Sequence, residues 1–127
     1  AELPKGGGSI EVWGDGLQTR SFLFVDECVE ATYRLVQSDF TGPVNIGSEE
    51  MVSINELVDI AAKVAGKDVE KNHIDGPLGV RGRNSNNDLI REKLDWDYSM
   101  TLEEGIEKTF NWIHSQVYKD RPMYHPV

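Results

Sequence analysis

Positive charge gathers in two short stretches of an otherwise acidic chain. One is Gly14-Asp15-Gly16-Leu17-Gln18-Thr19-Arg20, the other Gly79-Val80-Arg81-Gly82-Arg83-Asn84-Ser85, set against a formal net charge of −9 over 127 residues. In the first, a glycine turn runs into an alternating stretch, which places Gln18 and Arg20 two residues apart and on one face of a strand. Arg20 then offers a planar fork to a phosphate or carboxylate, and Gln18 and Thr19 add hydrogen bonds. In the second, two arginines flank a glycine just before a helix expected to start near Asn86. The unpaired N–H groups of a helix start would complete a pocket for an anion there. Each stretch has a plainer reading as well, a hairpin turn with an exposed arginine for the first and a solvated loop for the second. Residue types alone leave both readings open.

Nothing else in the sequence assembles into a catalytic centre. Cys28 falls on the apolar stripe of a helix and reads as a buried, inert thiol, with no neighbour that would lower its pKa. Glu27, Glu30, Glu49, Glu50, Glu103 and Glu104 read as caps and solvated helix faces, and Trp96 and Trp112 as core. His73 and His114 have no partners nearby in sequence, and no Cys/His spacing suggests zinc. The expectation is therefore no catalytic residue, no metal ligand and no cofactor-binding residue in this chain.

The bulk properties narrow the classes further. A composition with 39% hydrophobic and 28% charged residues is that of an ordinary globular domain, long enough for one core. The acidic balance, with a pI near 4.7, repels phosphate backbones and argues against nucleic-acid binding. No run reaches the roughly 18 apolar residues of a membrane span. The glycine-rich start, Ala1 to Ser9, lacks the apolar core of a secretion signal, so a cytoplasmic setting is expected.

The elements that must carry the arginines read as a thin α/β layout, a small mixed domain of short strands and amphipathic helices. Residues 1–9 form a loop or the remnant of a preceding segment, residues 10–118 the domain, and residues 119–127 an extended tail. Ile10 to Trp13 and Thr19 to Val25 alternate as strands and suggest a hairpin across the glycine turn. Asp26 reads as the cap of a helix whose inner face carries Val25, Cys28, Val29, Thr32, Leu35 and Val36. Pro43 to Ile46 reads as a brief strand. Ser53 with Glu56 forms a capping box for a helix closed by Gly66, and Val69 to Ile74 follows as a strand. A short helix over about Asn86 to Leu94 comes next. A second capping box, Thr101 with Glu104, opens a helix with Leu102, Ile106, Phe110, Ile113 and Val117 inward. No glycine-rich nucleotide loop lies between a strand and a helix.

The run Gly14 to Phe22, then Val25-Asp26-Glu27-Cys28-Val29, resembles the entry into the C-terminal domain of extended short-chain dehydrogenase/reductases, the NAD-dependent epimerase/dehydratase family. Asn45-Ile46-Gly47-Ser48 and Val52 to Leu57 resemble that family's next strand and helix. Leu94-Asp95-Trp96, Leu102 to Ile106 and Trp112-Ile113 resemble its closing helices. Within the family, Gly79 to Ser85 together with Gln18 to Phe22 is similar to the GDP-mannose 3,5-epimerases. The resemblance covers roughly residues 10–117. It departs at Asp95, where the family carries glycine, and at Asn86, where the epimerases carry aspartate. It departs again at Glu2, near which a lysine is usual.

The resemblance implies a substrate-binding domain for a nucleotide sugar of the GDP-mannose kind. Gln18, Thr19, Arg20 and Arg83 would line the site, with Arg20 on the diphosphate. It implies that the Rossmann half, with its NAD loop and its acid/base residues, lies outside this sequence. In the intact family enzyme, NAD oxidises the sugar transiently so that neighbouring C–H bonds can be deprotonated and reprotonated. This chain would contribute binding energy that orients the sugar, without being competent alone. A Rossmann domain supplied in trans, or a second copy of the chain, is the implied protein partner. The alternative is a stand-alone module that self-associates through the face a Rossmann domain normally covers.

Overall fold

Two helices are fixed at their starts by reciprocal capping, as the sequence suggests. In the computed structural model, which describes residues 1–119, helix α2 (Ile54–Ala65) begins where Ser53 Oγ accepts from the Glu56 amide at 3.1 Å and Glu56 Oε2 accepts from the Ser53 amide at 2.7 Å. Helix α4 (Leu102–Val117) repeats the device with Thr101 and Glu104. In both boxes the cap residue's amide, and then its hydroxyl, hold the glutamate carboxyl below its ordinary value. Gly66 ends α2 in the left-handed region, at φ 61°. The two helices pack against each other and are bridged by Lys63 and Glu103 at 2.7 Å.

The strands form two small sheets, and their pairing corrects the expected hairpin. Strand β1 (Gly7–Trp13), which starts three residues earlier than expected, runs parallel to β4 (Asp68–Ile74), with Gly7 opposite Asp68 and Trp13 opposite Ile74. Strand β2 (Thr19–Ser21) is the centre of the second sheet, antiparallel to β3 (Met51–Ser53) and parallel to β5 (Gly82–Arg83). Gly14 and Gly16, both at positive φ, turn the chain away from β1 instead of folding it back. The Gly14 amide donates to Ile74 O, while Gly16 O and Gln18 O accept from the amides of Asn55 and Ile54. The turn is thereby sewn to the start of α2. Pro43 to Ile46, expected as a strand, finds no ladder partner among the described residues; Val44 and Ile46 instead pack on the core. The extended tail expected over residues 119–127 falls, from residue 120 on, outside the described residues.

Helix α1 (Val25–Gln37) turns the other way from its apolar stripe. Its N-cap is Phe24, with no side-chain bond, and its buried residues are Glu27 and Ala31. Val25, Val29 and Val36 are 62%, 62% and 72% exposed, and Cys28 is exposed rather than buried. The reason lies in Glu27. Its Oε1 accepts from Ser99 N, Ser99 Oγ and Met100 N at 2.6, 2.7 and 3.0 Å, and this pins the helix to the linker before α4. The core then closes on Ala31, Ile90 and Trp96, with Leu23, Val44, Ile46, Leu94 and Tyr98 around it. Trp96 is buried as expected, whereas Trp112 is 66% exposed on α4. The short helix α3 (Asp88–Leu94) ends at Asp95, which takes φ 47°, the conformation glycine adopts most easily.

Candidate functional site

The parallel pairing of β2 with β5 sets Arg20 opposite Arg83, although 63 positions separate them in the chain. Arg81 does not join them. Its guanidinium reaches both carboxylate oxygens of Asp15 at 3.0 Å, and its carbonyl accepts from the Thr19 amide. The Leu17 amide and then Arg81 hold the Asp15 carboxyl below its usual range. The arginine beside the glycine turn is therefore spent on holding the turn.

Arg20 and Arg83 are not spent. Arg34 pairs with Glu30, Arg81 with Asp15, and Arg91 with Glu49, Asp88 and Asp97. Among the described residues, neither Arg20 nor Arg83 meets a carboxylate. Half-buried Arg20 donates from Nη1 to Thr19 O at 2.7 Å, which orients its fork, and the bare backbone of Gly79 lies alongside its Nη2. Two guanidinium groups without carboxylate partners, half-buried Arg20 and exposed Arg83, therefore stand side by side in a chain of net charge −9.

Both arginines line one open cleft of about 310 Å³. Its walls carry Ser21, Asn45, Ser48 and Ser85, and Leu23 and Ile46 supply apolar surface. Gln18 and Thr19 do not line it. Gln18 precedes the strand, is buried, and donates from Nε2 to Trp13 O at 3.2 Å; its Oε1 has no partner. Thr19 sits beneath, its amide on Arg81 O and its Oγ1 against Gly82. The expected helix start is also spoken for. The Asn87 amide donates to Glu49 Oε1 and the Asp88 amide to Asn86 Oδ1, so the first two N–H groups at this helix start are already taken. Arg91, with help from the Asn87 amide, holds the Glu49 carboxyl low, and the carboxylates of Glu49 and Asp97 raise the Arg91 guanidinium. The wall Asn45–Ser48 was not singled out as a site by its chemistry, because its polar residues have no charge to mark them.

A second hollow, about 480 Å³ and apolar, opens between α2 and α4, lined by Phe22, Leu57, Leu102, Ile106, Phe110 and Ile113 among others. The cleft itself presents no carboxylate, imidazole or thiol. His73 is held by Asn55 at 2.9 Å. Among the described residues no cluster of His, Cys, Asp or Glu could hold a metal, and no helix is long and apolar enough to cross a membrane.

The fold agrees with comparison to known proteins. The chain is a member of the extended short-chain dehydrogenase/reductases, the NAD-dependent epimerase/dehydratase class. More narrowly, it belongs to the GDP-mannose 4,6 dehydratase family, whose model matches residues 3–109. It is 56% identical over 112 residues to the GDP-mannose 3,5-epimerase of Arabidopsis thaliana, a match covering 88% of this chain and 30% of that protein. It is 36% identical over 108 residues to a dTDP-4-dehydro-6-deoxy-D-allose reductase of Streptomyces, covering 84% and 32%. Its fold is like that of the UDP-glucose 4-epimerase of Thermotoga maritima solved with UDP-glucose, at a TM-score of 0.81 and 25% identity, over 86% of this chain and 36% of that one. The chain thus spans about a third of the length of these relatives.

The family's dinucleotide does not fit the described residues. A dinucleotide loop needs a strand, a glycine-rich turn and a helix N-terminus in succession. Here Gly14–Gly16 leads from one strand into another, and α1 starts from Phe24 with no glycine turn before it. No step of hydride transfer is derived from these residues.

Proposed function

We propose that this chain binds a nucleotide sugar of the GDP-mannose type, with residues 10–118 as the binding unit. Arg20 and Arg83 grip the pyrophosphate, Ser21, Asn45 and Ser85 supply hydrogen bonds around it, and Gln18 and Thr19 support Arg20 from below. The observation that carries this reading is the pair of arginines without carboxylate partners, facing one cleft from adjacent strands. A bidentate guanidinium matches a phosphate better than any other side chain does. The 56% identity to a GDP-mannose 3,5-epimerase favours a guanosine diphosphate sugar over other nucleotide sugars. The role is to hold and orient, and turnover needs the groups that lie elsewhere in an intact enzyme. Calorimetric titration with GDP-mannose tests it. Arg20→Ala and Arg83→Ala should each weaken binding about 10- to 100-fold, the worth of a charge-assisted bond. Affinity unchanged in both variants contradicts the reading.

A second reading concerns association. The valines exposed along α1 and the apolar groove between α2 and α4 favour contact with a further protein surface, either a Rossmann domain in trans or another copy of the chain. Sedimentation of the isolated chain separates these. A dimer that Val29→Asp dissolves supports self-association, and a monomer at all concentrations points to the domain in trans.

A further inference from the structure

The walls of the cleft come from stretches 40 positions apart, and one side chain joins them. Asn87 is completely buried. Its Nδ2 donates to Gly47 O at 2.7 Å, and its Oδ1 accepts from Ser85 Oγ at 2.6 Å. Its own amide donates to Glu49 Oε1 at 3.0 Å, and Arg91 grips that same carboxylate from the other side. At this junction the walls meet with no spare room, since a methyl group on Gly47 would lie 2.6 Å from Ser85 Cβ. Gly47 and Ser85 both line the cleft; Asn87 does not.

The geometry points to Asn87 as the positioning residue of the anion cleft, the clamp that fixes the spacing of its two walls. This rests on the nucleotide-sugar reading above. Ser85 lies two residues beyond Arg83, so a bond that holds Ser85 to the Gly47 wall also holds the Arg83 segment in place across from Arg20. A primary amide suits the position at any pH, because the side chain must donate to a carbonyl and accept from a hydroxyl at once. An ionised aspartate there keeps the bond from Ser85 but turns a lone pair toward Gly47 O. A protonated aspartic acid restores both bonds. The charged groups around the position are Glu49, Asp88 and Arg91, and the Arg91 guanidinium is shared among Glu49, Asp88 and Asp97.

The experiment is a GDP-mannose titration of the wild-type chain, Arg83→Ala, Asn87→Ala and Asn87→Asp at pH 8 and pH 6, with a thermal melt of each. Asn87→Ala should weaken binding about tenfold at both pH values, as the loss of a buried hydrogen bond does. Asn87→Asp should bind as weakly at pH 8 and bind better at pH 6 than at pH 8, because burial raises its carboxyl above the ordinary aspartate value. The wild type should change little over the same interval. If Arg83→Ala loses binding while both Asn87 variants match the wild type, the clamp is overturned and the nucleotide-sugar reading stands. If the wild type does not bind, that reading fails and the clamp falls with it. Should Asn87→Ala not fold, the near-isosteric Asn87→Asp decides, and an affinity equal to that of the wild type at pH 8 overturns the proposal.

Discussion

The polar cleft and the apolar groove share one wall residue, Leu23, and are built on opposite principles. The groove is framed mainly by two capped helices whose positions follow from short-range sequence. The cleft is assembled from three stretches far apart in the chain, joined by a two-residue strand pairing and by the bonds of Asn87 and Arg91. Helices make a surface that survives local change; loops make one that depends on a few polar bonds. That is how a site can be tuned for a ligand without disturbing the core beside it.

This contrast can be broken by perturbing each region in turn. The largest effect on stability belongs to the groove side. Leu102→Ala, at the buried first position of α4, should cost about 2–5 kcal/mol in urea unfolding. It should leave the affinity of the remaining folded molecules for GDP-mannose unchanged. An equal loss of affinity would show that the two regions are coupled.

A smaller effect comes from acid. The Glu49, Glu56 and Glu104 carboxyls are all held below their ordinary value of 4.5. Lowered carboxyls stabilise the folded state fully above that value and release the stabilisation as pH falls through their lowered values. The melting temperature should therefore fall as pH drops below about 4.5. Glu49→Gln should make that fall shallower by removing the share of the Glu49–Arg91 pair while leaving both capping boxes. A melting temperature that is flat or rising between pH 5 and 3.5 contradicts the assignment.

What the sequence made legible follows the same division. Capping boxes were readable because donor and acceptor lie three residues apart, and both helices start where Ser53 and Thr101 stand. The arginines were readable by type, as cations gathered in an acidic chain. Partners across the chain were not. The hairpin reading failed because β1 pairs with a strand more than 50 positions away, a choice no local alternation encodes. The inner face of α1 was misread because periodicity says which residues are apolar, not which face this chain can cover. Here a buried carboxylate, Glu27, sets the rotation instead. Asn87 carried no signal at all, since an uncharged amide gains its role only from what the fold brings to it. Asp95 stands where the family carries glycine and still takes glycine's backbone angle, so the resemblance was informative at a point where residue identity differs.

The central claim is that the pyrophosphate of a nucleotide sugar sits between Arg20 and Arg83. Backbone amide NMR of the chain during titration with GDP-mannose tests it most directly. The account predicts that the perturbed signals cluster at Arg20, Ser21, Asn45 to Ser48 and Arg83 to Ser85, and that Arg83→Ala shifts their titration to about 10- to 100-fold higher ligand concentration. Perturbations confined to the groove between α2 and α4, or none at saturating ligand, would contradict it.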